Sequence, residues 1–272
     1  MQGIHAFIPT ADKVAYLNRL LRVGFDRLDC GSFVSPRAVP QMQDTATVLE
    51  QLDRGGSSTR LLAIIANVRG ATDAVKHDAV DILGFPFSVS ETFQLRNTNS
   101  TRTQSLDTVR EIVALCQAHG KEPLVYLSMG FGNPYGDEWS AAIVAQYAER
   151  LAALGVSSFA LADTVGTSTA AQIATLFPFL RNYLPETEWG LHLHSTPDSS
   201  REKLKAALDA GCDRFDTALR GFGGCPMASD ELTGNIATEV LLELCAAEGV
   251  ALGLDSDAWQ EALAYSPRIF GG

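Results

Sequence analysis

Short runs of β-branched and other apolar residues alternate along the whole chain with longer stretches whose apolar positions recur every three or four residues. This alternation predicts βα units feeding a parallel sheet. Strands are expected at FDRLDCGSF (25–33), RLLAIIAN (60–67), VDILGFPFS (80–88), PLVYLSM (123–129), VSSFALAD (156–163), WGLHLHS (189–195) and RFDTALRG (214–221). Helices are expected between them, at KVAYLNRLLRVG, SLDTVREIVALCQAHG, EWSAAIVAQYAERLAALG, STAAQIATLFPFL and SREKLKAALDAG, each ending near a glycine, a proline or a polar turn.

Seven βα units over 272 residues suit a TIM-type (β/α)₈ barrel, whose usual size is about 250 residues. The expected organisation is one barrel domain spanning 1–272. One strand is missing from the count. The opening MQGIHAFIPTADK reads as a loop running into the first helix, with Thr10 or Asp12 as N-cap. A barrel closes only when an eighth strand joins the first to the last, so either the true start lies upstream of Met1 or the barrel is open. A doubly wound sheet would normally show a nucleotide loop, and no GxGxxG or GxxxxGK[ST] follows an early strand.

Composition removes several function classes. The hydrophobic fraction is 46% and the charged fraction 19%, enough for an ordinary core, but the net charge is −11. Nucleic acid and anionic membrane surfaces are therefore disfavoured as partners. An anionic substrate would need a local basic group or a metal. Five cysteines, odd in number and without CxxC pairs, argue for a reducing compartment. With no apolar run of about 18 residues and no leader pattern, the expectation is a soluble, cytoplasmic protein.

In a barrel, chemistry gathers where the strands end. Those ends carry Asp29 with Ser32, Asn67, Ser88 with Ser90 and Glu91, Ser128, Asp163 with Thr164, His192 with His194, and the loop GFGGCP. Ser90 and Thr164, taken alone, read first as caps of the helices that follow. In GLHLHST (190–196) the two histidines share one strand face, about 6 to 7 Å apart along the strand. They either pack as ordinary half-buried imidazoles or converge on a metal ion. With Asp163 and a nearby Asn they make a mixed nitrogen and oxygen set, better suited to six-coordinate Mg²⁺ or Mn²⁺ than to tetrahedral Zn²⁺. Asn235, just before a helix, is either its cap or a ligand. Gly221, Gly223 and Gly224 permit a mobile or sharply turned backbone beside a ligand. Cys225 is the one cysteine in this setting; Cys116 and Cys245 fall in helical patterns, and Cys30 and Cys212 in or beside strands.

The segments SFVSPRAVPQMQDT (32–45), ADTVGTST (162–169), LHLHST (191–196) and RGFGGCPMASDELTGNIATE (220–239) resemble the 3-hydroxy-3-methylglutaryl-CoA (HMG-CoA) lyases, metal-dependent barrels of the wider lyase and aldolase superfamily. GGCP followed by GNxATE is far more specific to the lyases than the HxH. The resemblance implies a divalent metal held by His192, His194 and Asn235, with Cys225, Asp163 and His192 in catalytic roles. It also places Asp29 in the catalytic set, where the family more often has Glu. Asn97, in LRNTN, matches a position that contacts substrate or CoA, and Ser32 and Gln2 are grouped with it. A homodimer acting on an acyl-CoA in leucine degradation is implied in the same way.

Two departures stand out. The family's first strand ends in an Arg-Asp pair, of which only the tail of the motif survives here, as Met1 and Gln2; Ser195 replaces the Asp or Asn usual after HxH. The strand count and the motif therefore point to one gap, and the sequence is expected to start at an internal methionine. The expected reaction is cleavage of (S)-HMG-CoA to acetyl-CoA and acetoacetate. The alternatives are a 2-oxo acid condensing enzyme, disfavoured by GGCP and by the lack of a regulatory domain after residue 272, and a non-catalytic barrel with a partial metal site. The missing Arg would stabilise the enolate oxygen by roughly 3 to 4 kcal/mol, by analogy with a lost oxyanion donor. A polypeptide beginning at Met1 is thus expected to bind metal yet turn over several orders of magnitude more slowly than one carrying the Arg-Asp pair, and kinetics of the two side by side check this.

Overall fold

The computed structural model describes residues 1, 4, 6–223 and 233–271. Along the chain run α1 (Thr10–Val23), β1 (Arg27–Ser32), α2 (Thr45–Gln51), β2 (Arg60–Ile64), α3 (Val68–Ala74), β3 (Ile82–Ser88), α4 (Glu91–Thr98), α5 (Arg102–His119), β4 (Glu122–Ser128), α6 (Ala141–Ala153), β5 (Ser158–Asp163), α7 (Ala170–Tyr183), β6 (Glu188–Ser195), α8 (Pro197–Asp209), β7 (Phe215–Asp216), β8 (Gly234–Asn235), α9 (Thr238–Ala247) and α10 (Ser256–Phe270). They divide into two compact units, Met1–Gly84 with Leu115–Glu122 and Ala251–Gly272, and Phe85–Ala114 with Pro123–Val250. Among the described residues no helix is long and apolar enough to cross a membrane.

In the first unit, β1, β2 and the start of β3 pair in parallel, with Leu28 opposite Leu61 and Leu62 opposite Ile82. No strand precedes α1 among the described residues. Its N-cap is Pro9 rather than Thr10 or Asp12. Thr10 is already helical and donates its hydroxyl to Asp44 at 2.7 Å, while Asp12 lies in the first turn, where a carboxylate complements the helix dipole. Helices α1 and α10 bury aromatic faces together, Tyr16 meeting Phe270 edge-on at 5.7 Å. Lys13 is buried and ion-paired with Asp44 at 2.6 Å.

In the second unit, β4, β5, β6 and β7 pair in parallel. Every residue of β5 is buried, as expected for a strand covered on both faces. Phe159 stacks on Trp189 with ring centroids 4.9 Å apart. Arg214 reaches across these strands to Ser158 Oγ at 3.2 Å and to the Phe159 carbonyl; a side chain at Gly190 would collide with its guanidinium. The seventh strand is much shorter than expected. After Asp216 the chain turns through a 3-10 segment, Leu219–Gly221, in which Arg220 takes a left-handed φ of 54°. A two-residue strand that the sequence did not announce, β8, then returns antiparallel to β6.

Gly70 records how closely α3 approaches β1. A Cβ there would lie 2.6 Å from the Phe33 carbonyl oxygen, and backbone cannot move aside cheaply. Gly70→Ala is expected to destabilise the protein by about 1 to 3 kcal/mol, read as a lower urea midpoint with an unchanged slope.

Candidate active site

The second unit carries His192, His194, Asn235 and Asp163 of the expected site. Strand alternation puts His192 and His194 on one face of β6, with ring centroids 5.2 Å apart. Pairing with β5 sets Ala162 beside His192 and Asp163 beside Leu193, and pairing with β7 sets Asp216 beside His192. The antiparallel return of β8 sets Asn235 beside His194. Asn235 is no helix cap, since the N-cap of α9 is Ala237.

His192 Nδ1 lies 3.4 Å from Asp216 Oδ2, which turns Nε2 away from that carboxylate. Tyr126 meets the same imidazole edge-on at 5.5 Å. His194 is buried, and loss of solvent, with the neighbouring His192 charge, pushes its pKa down to about 4. The Asp163 carboxylate and a hydrogen bond to the Thr164 backbone oppose that shift without reversing it. At neutral pH His194 therefore carries a lone pair. Asn235 donates Nδ2 to the Phe222 carbonyl at 3.1 Å, which fixes the direction of its amide.

Asp163 is buried. Its Oδ2 accepts from Ser168 N at 3.1 Å, Ser168 Oγ at 2.6 Å and Lys203 Nζ at 2.9 Å. Its Oδ1 is buried with no hydrogen-bond partner. A buried acceptor left open costs about 1 to 3 kcal/mol, a cost that a ligand or substrate proton would relieve. Thr164 does not cap α7: its hydroxyl accepts from Met129 N at 2.8 Å, and the cap is Thr169, in a capping box with Gln172. Ser90 and Asn67 do cap helices, α4 and α3 respectively.

The remaining candidates are spread more widely. Asn97 lies half-buried in the last turn of α4. In the first unit Asp29 is exposed beside a bulge of β1, its Oδ1 accepting from Gly31 N at 3.1 Å. Ser32 is buried at the end of the same strand, its hydroxyl accepting from Val34 N at 3.1 Å. Cys225 and Gln2 lie outside the described residues. Lys203, Ser168 and Asp216 were not singled out from sequence. For Lys203 a signal existed, because it falls on the apolar stripe of its helix with Leu204 and Ala207.

Among the described residues no group of three or more His, Cys, Asp or Glu could hold a metal. The donors present are two imidazoles and an amide oxygen. They fit a divalent ion on two counts, a neutral His194 whose other nitrogen is engaged by backbone and an amide oriented by a carbonyl, while His192 Nδ1 is buried with no hydrogen bond, 3.4 Å from the Asp216 carboxylate. Such outer partners are what fix ligand tautomer and orientation in metal sites.

The HMGL-like family model matches residues 1–264. The chain belongs to this family. Hydroxymethylglutaryl-CoA lyase YngG of Bacillus subtilis is 31% identical over 239 residues, 88% of this chain and 79% of that protein. The crystal structure of the HMG-CoA lyase from Brucella melitensis superposes with a TM-score of 0.91 at 28% identity, covering 100% of this chain and 95% of the other. An HMG-CoA lyase of A. baumannii in complex with coenzyme A and 3-methylmalate has a TM-score of 0.91 at 32% identity, covering 99% and 87%. The α/β barrel class read from the alternation of elements holds, as does the resemblance read from the motifs.

The His194 shift carries a stability consequence for the metal-free protein. Its folded pKa of about 4 lies below the ordinary 6.5, so the contribution is complete above pH 6.5 and is lost as pH falls toward 4. A lowering of that size corresponds to about 3 kcal/mol. Urea unfolding between pH 7 and pH 4 is expected to show that loss, and His194→Asn to flatten it.

Proposed function

We propose that this chain is a divalent-metal-dependent carbon–carbon lyase that cleaves (S)-HMG-CoA to acetyl-CoA and acetoacetate. The observation that carries this reading is the convergence of His192, His194 and Asn235 on one face at the ends of β6 and β8, in a chain of the HMGL-like family. His192, His194 and Asn235 would hold Mg²⁺ or Mn²⁺, which when bound lowers the pKa of a coordinated hydroxyl and orients the scissile bond.

The rest of the work falls to side chains. A base removes the proton of the tertiary hydroxyl, C3 becomes the ketone carbon of acetoacetate, and the electrons of the C2–C3 bond pass into the thioester enolate. Asp163 or one of the two histidines would take or relay that proton. The enolate carbon then takes a proton to give acetyl-CoA, a step assigned to Cys225. Asp29, Ser32, Asn97 and Gln2 complete the proposed set, the last three toward the acyl-CoA. The protein is proposed to work in the cytoplasm as a homodimer.

Incubation with HMG-CoA and Mg²⁺ is expected to release acetoacetate above the rate seen with a chelator, and His194→Ala to abolish the difference. Release of CoA from acetyl-CoA and a 2-oxo acid instead would identify a condensing enzyme. Neither reaction, with the metal bound, would leave a non-catalytic barrel.

A further inference from the structure

Lys203 is a lysine where helix α8 should have a hydrocarbon. It belongs to the buried stripe Ser200, Lys203, Leu204 and Ala207, and its side chain is only 5% exposed. Its ammonium donates to Asp163 Oδ2 at 2.9 Å, to the Gly166 carbonyl at 3.0 Å and to the His194 carbonyl at 3.0 Å. An ammonium has three N–H donors, and these acceptors use them all. Stability alone is a poor reason for such an arrangement, because well-packed apolar residues often replace a buried ion pair without loss.

The three acceptors sit at chemically distinct places: the carboxylate at the end of β5, the turn that follows it, and the backbone of the buried histidine on β6. With Ser168, Lys203 saturates Asp163 Oδ2 and leaves Oδ1 as the open oxygen. We propose that Lys203 is a positioning residue for the lyase reaction, locking Asp163 and His194 into a single arrangement across the ends of β5 and β6. The statement rests on the lyase reading. It predicts that losing the ammonium harms the chemical step rather than acyl-CoA binding.

The experiment compares wild type, Lys203→Met, Asp163→Asn and the double variant, with folding checked by circular dichroism. Lys203→Met is expected to lower kcat by about 10- to 100-fold, the range for partners that orient metal ligands, with KM within about threefold. In the Asp163→Asn background the same change is expected to cost little more. An equal loss in both backgrounds, or a rise in KM with kcat kept, overturns the proposal.

Nitrogen NMR of the metal-free imidazoles at pH 7 supplies a second readout independent of turnover. A single neutral His194 tautomer in wild type is expected to become a mixture in Lys203→Met, and an unchanged His194 spectrum overturns the proposal. If wild type shows no lyase turnover, the lyase reading falls and the His194 spectrum alone decides what Lys203 does. Lys203→Gln, which keeps a donor and loses the charge, is read in the same way should Lys203→Met fail to fold.

Discussion

The register between β6 and its neighbours is the constraint on which the site depends. Six consecutive pairs, from Ser158 with Glu188 to Asp163 with Leu193, fix β6 against β5. Two more fix β7, and two antiparallel pairs fix β8. A slip of one residue in any of these would send the side chains to the opposite face. His192 would then lose Asp216, and His194 would lose Asn235. The site is thus specified by backbone hydrogen bonds before any side chain contributes.

Electrostatics inside this frame run against the character of the whole molecule. The chain carries a net charge of −11, yet the buried carboxylate of Asp163 is held by a cation and two Ser168 donors, and the adjacent His194 is held neutral by burial. A buried carboxylate is tolerable only when it is paired and hydrogen-bonded. A neutral imidazole keeps the lone pair that a metal requires. Burial therefore keeps His194 neutral, while Lys203 and Ser168 hold the Asp163 carboxylate in place, within a single pair of strands.

Much of this was legible in the sequence, and what was hidden has identifiable causes. Hydrophobic alternation marked β5 and β6 to within two residues, and HxH marked the shared face of β6, because both signals depend only on strand periodicity. The extent of β7 was overestimated because RFDTALRG has the composition of a strand. The left-handed turn at Arg220 is imposed by the returning chain rather than by local preference. Its amide donates to the Glu239 carboxylate at 3.0 Å, a partner nineteen residues on. Lys203 was hidden for a related reason: a lysine in a charged helix reads as solvated unless its position on the stripe is compared with its neighbours. Thr164 and Asn235 looked like caps because the cap signal is a residue type near a helix start, and both were already committed elsewhere.

Gly221 and Gly223, which follow β7, are sharply turned as their composition suggested, and close packing is a second reason for glycine there. The sequence suggested a backbone left mobile or sharply turned beside a ligand. In the structure a Cβ at Gly221 would lie 2.7 Å from the Asn235 carbonyl oxygen, and one at Gly223 would lie 2.9 Å from the Asn235 amide nitrogen. Both also adopt left-handed backbone, φ 67° and 102°, which side chains disfavour. The chain is stripped to glycine there because it must press against Asn235 from two sides, and the Phe222 carbonyl between them receives the Asn235 amide. Close approach is what orients that amide, so these glycines set the direction of the Asn235 side chain without a side chain of their own.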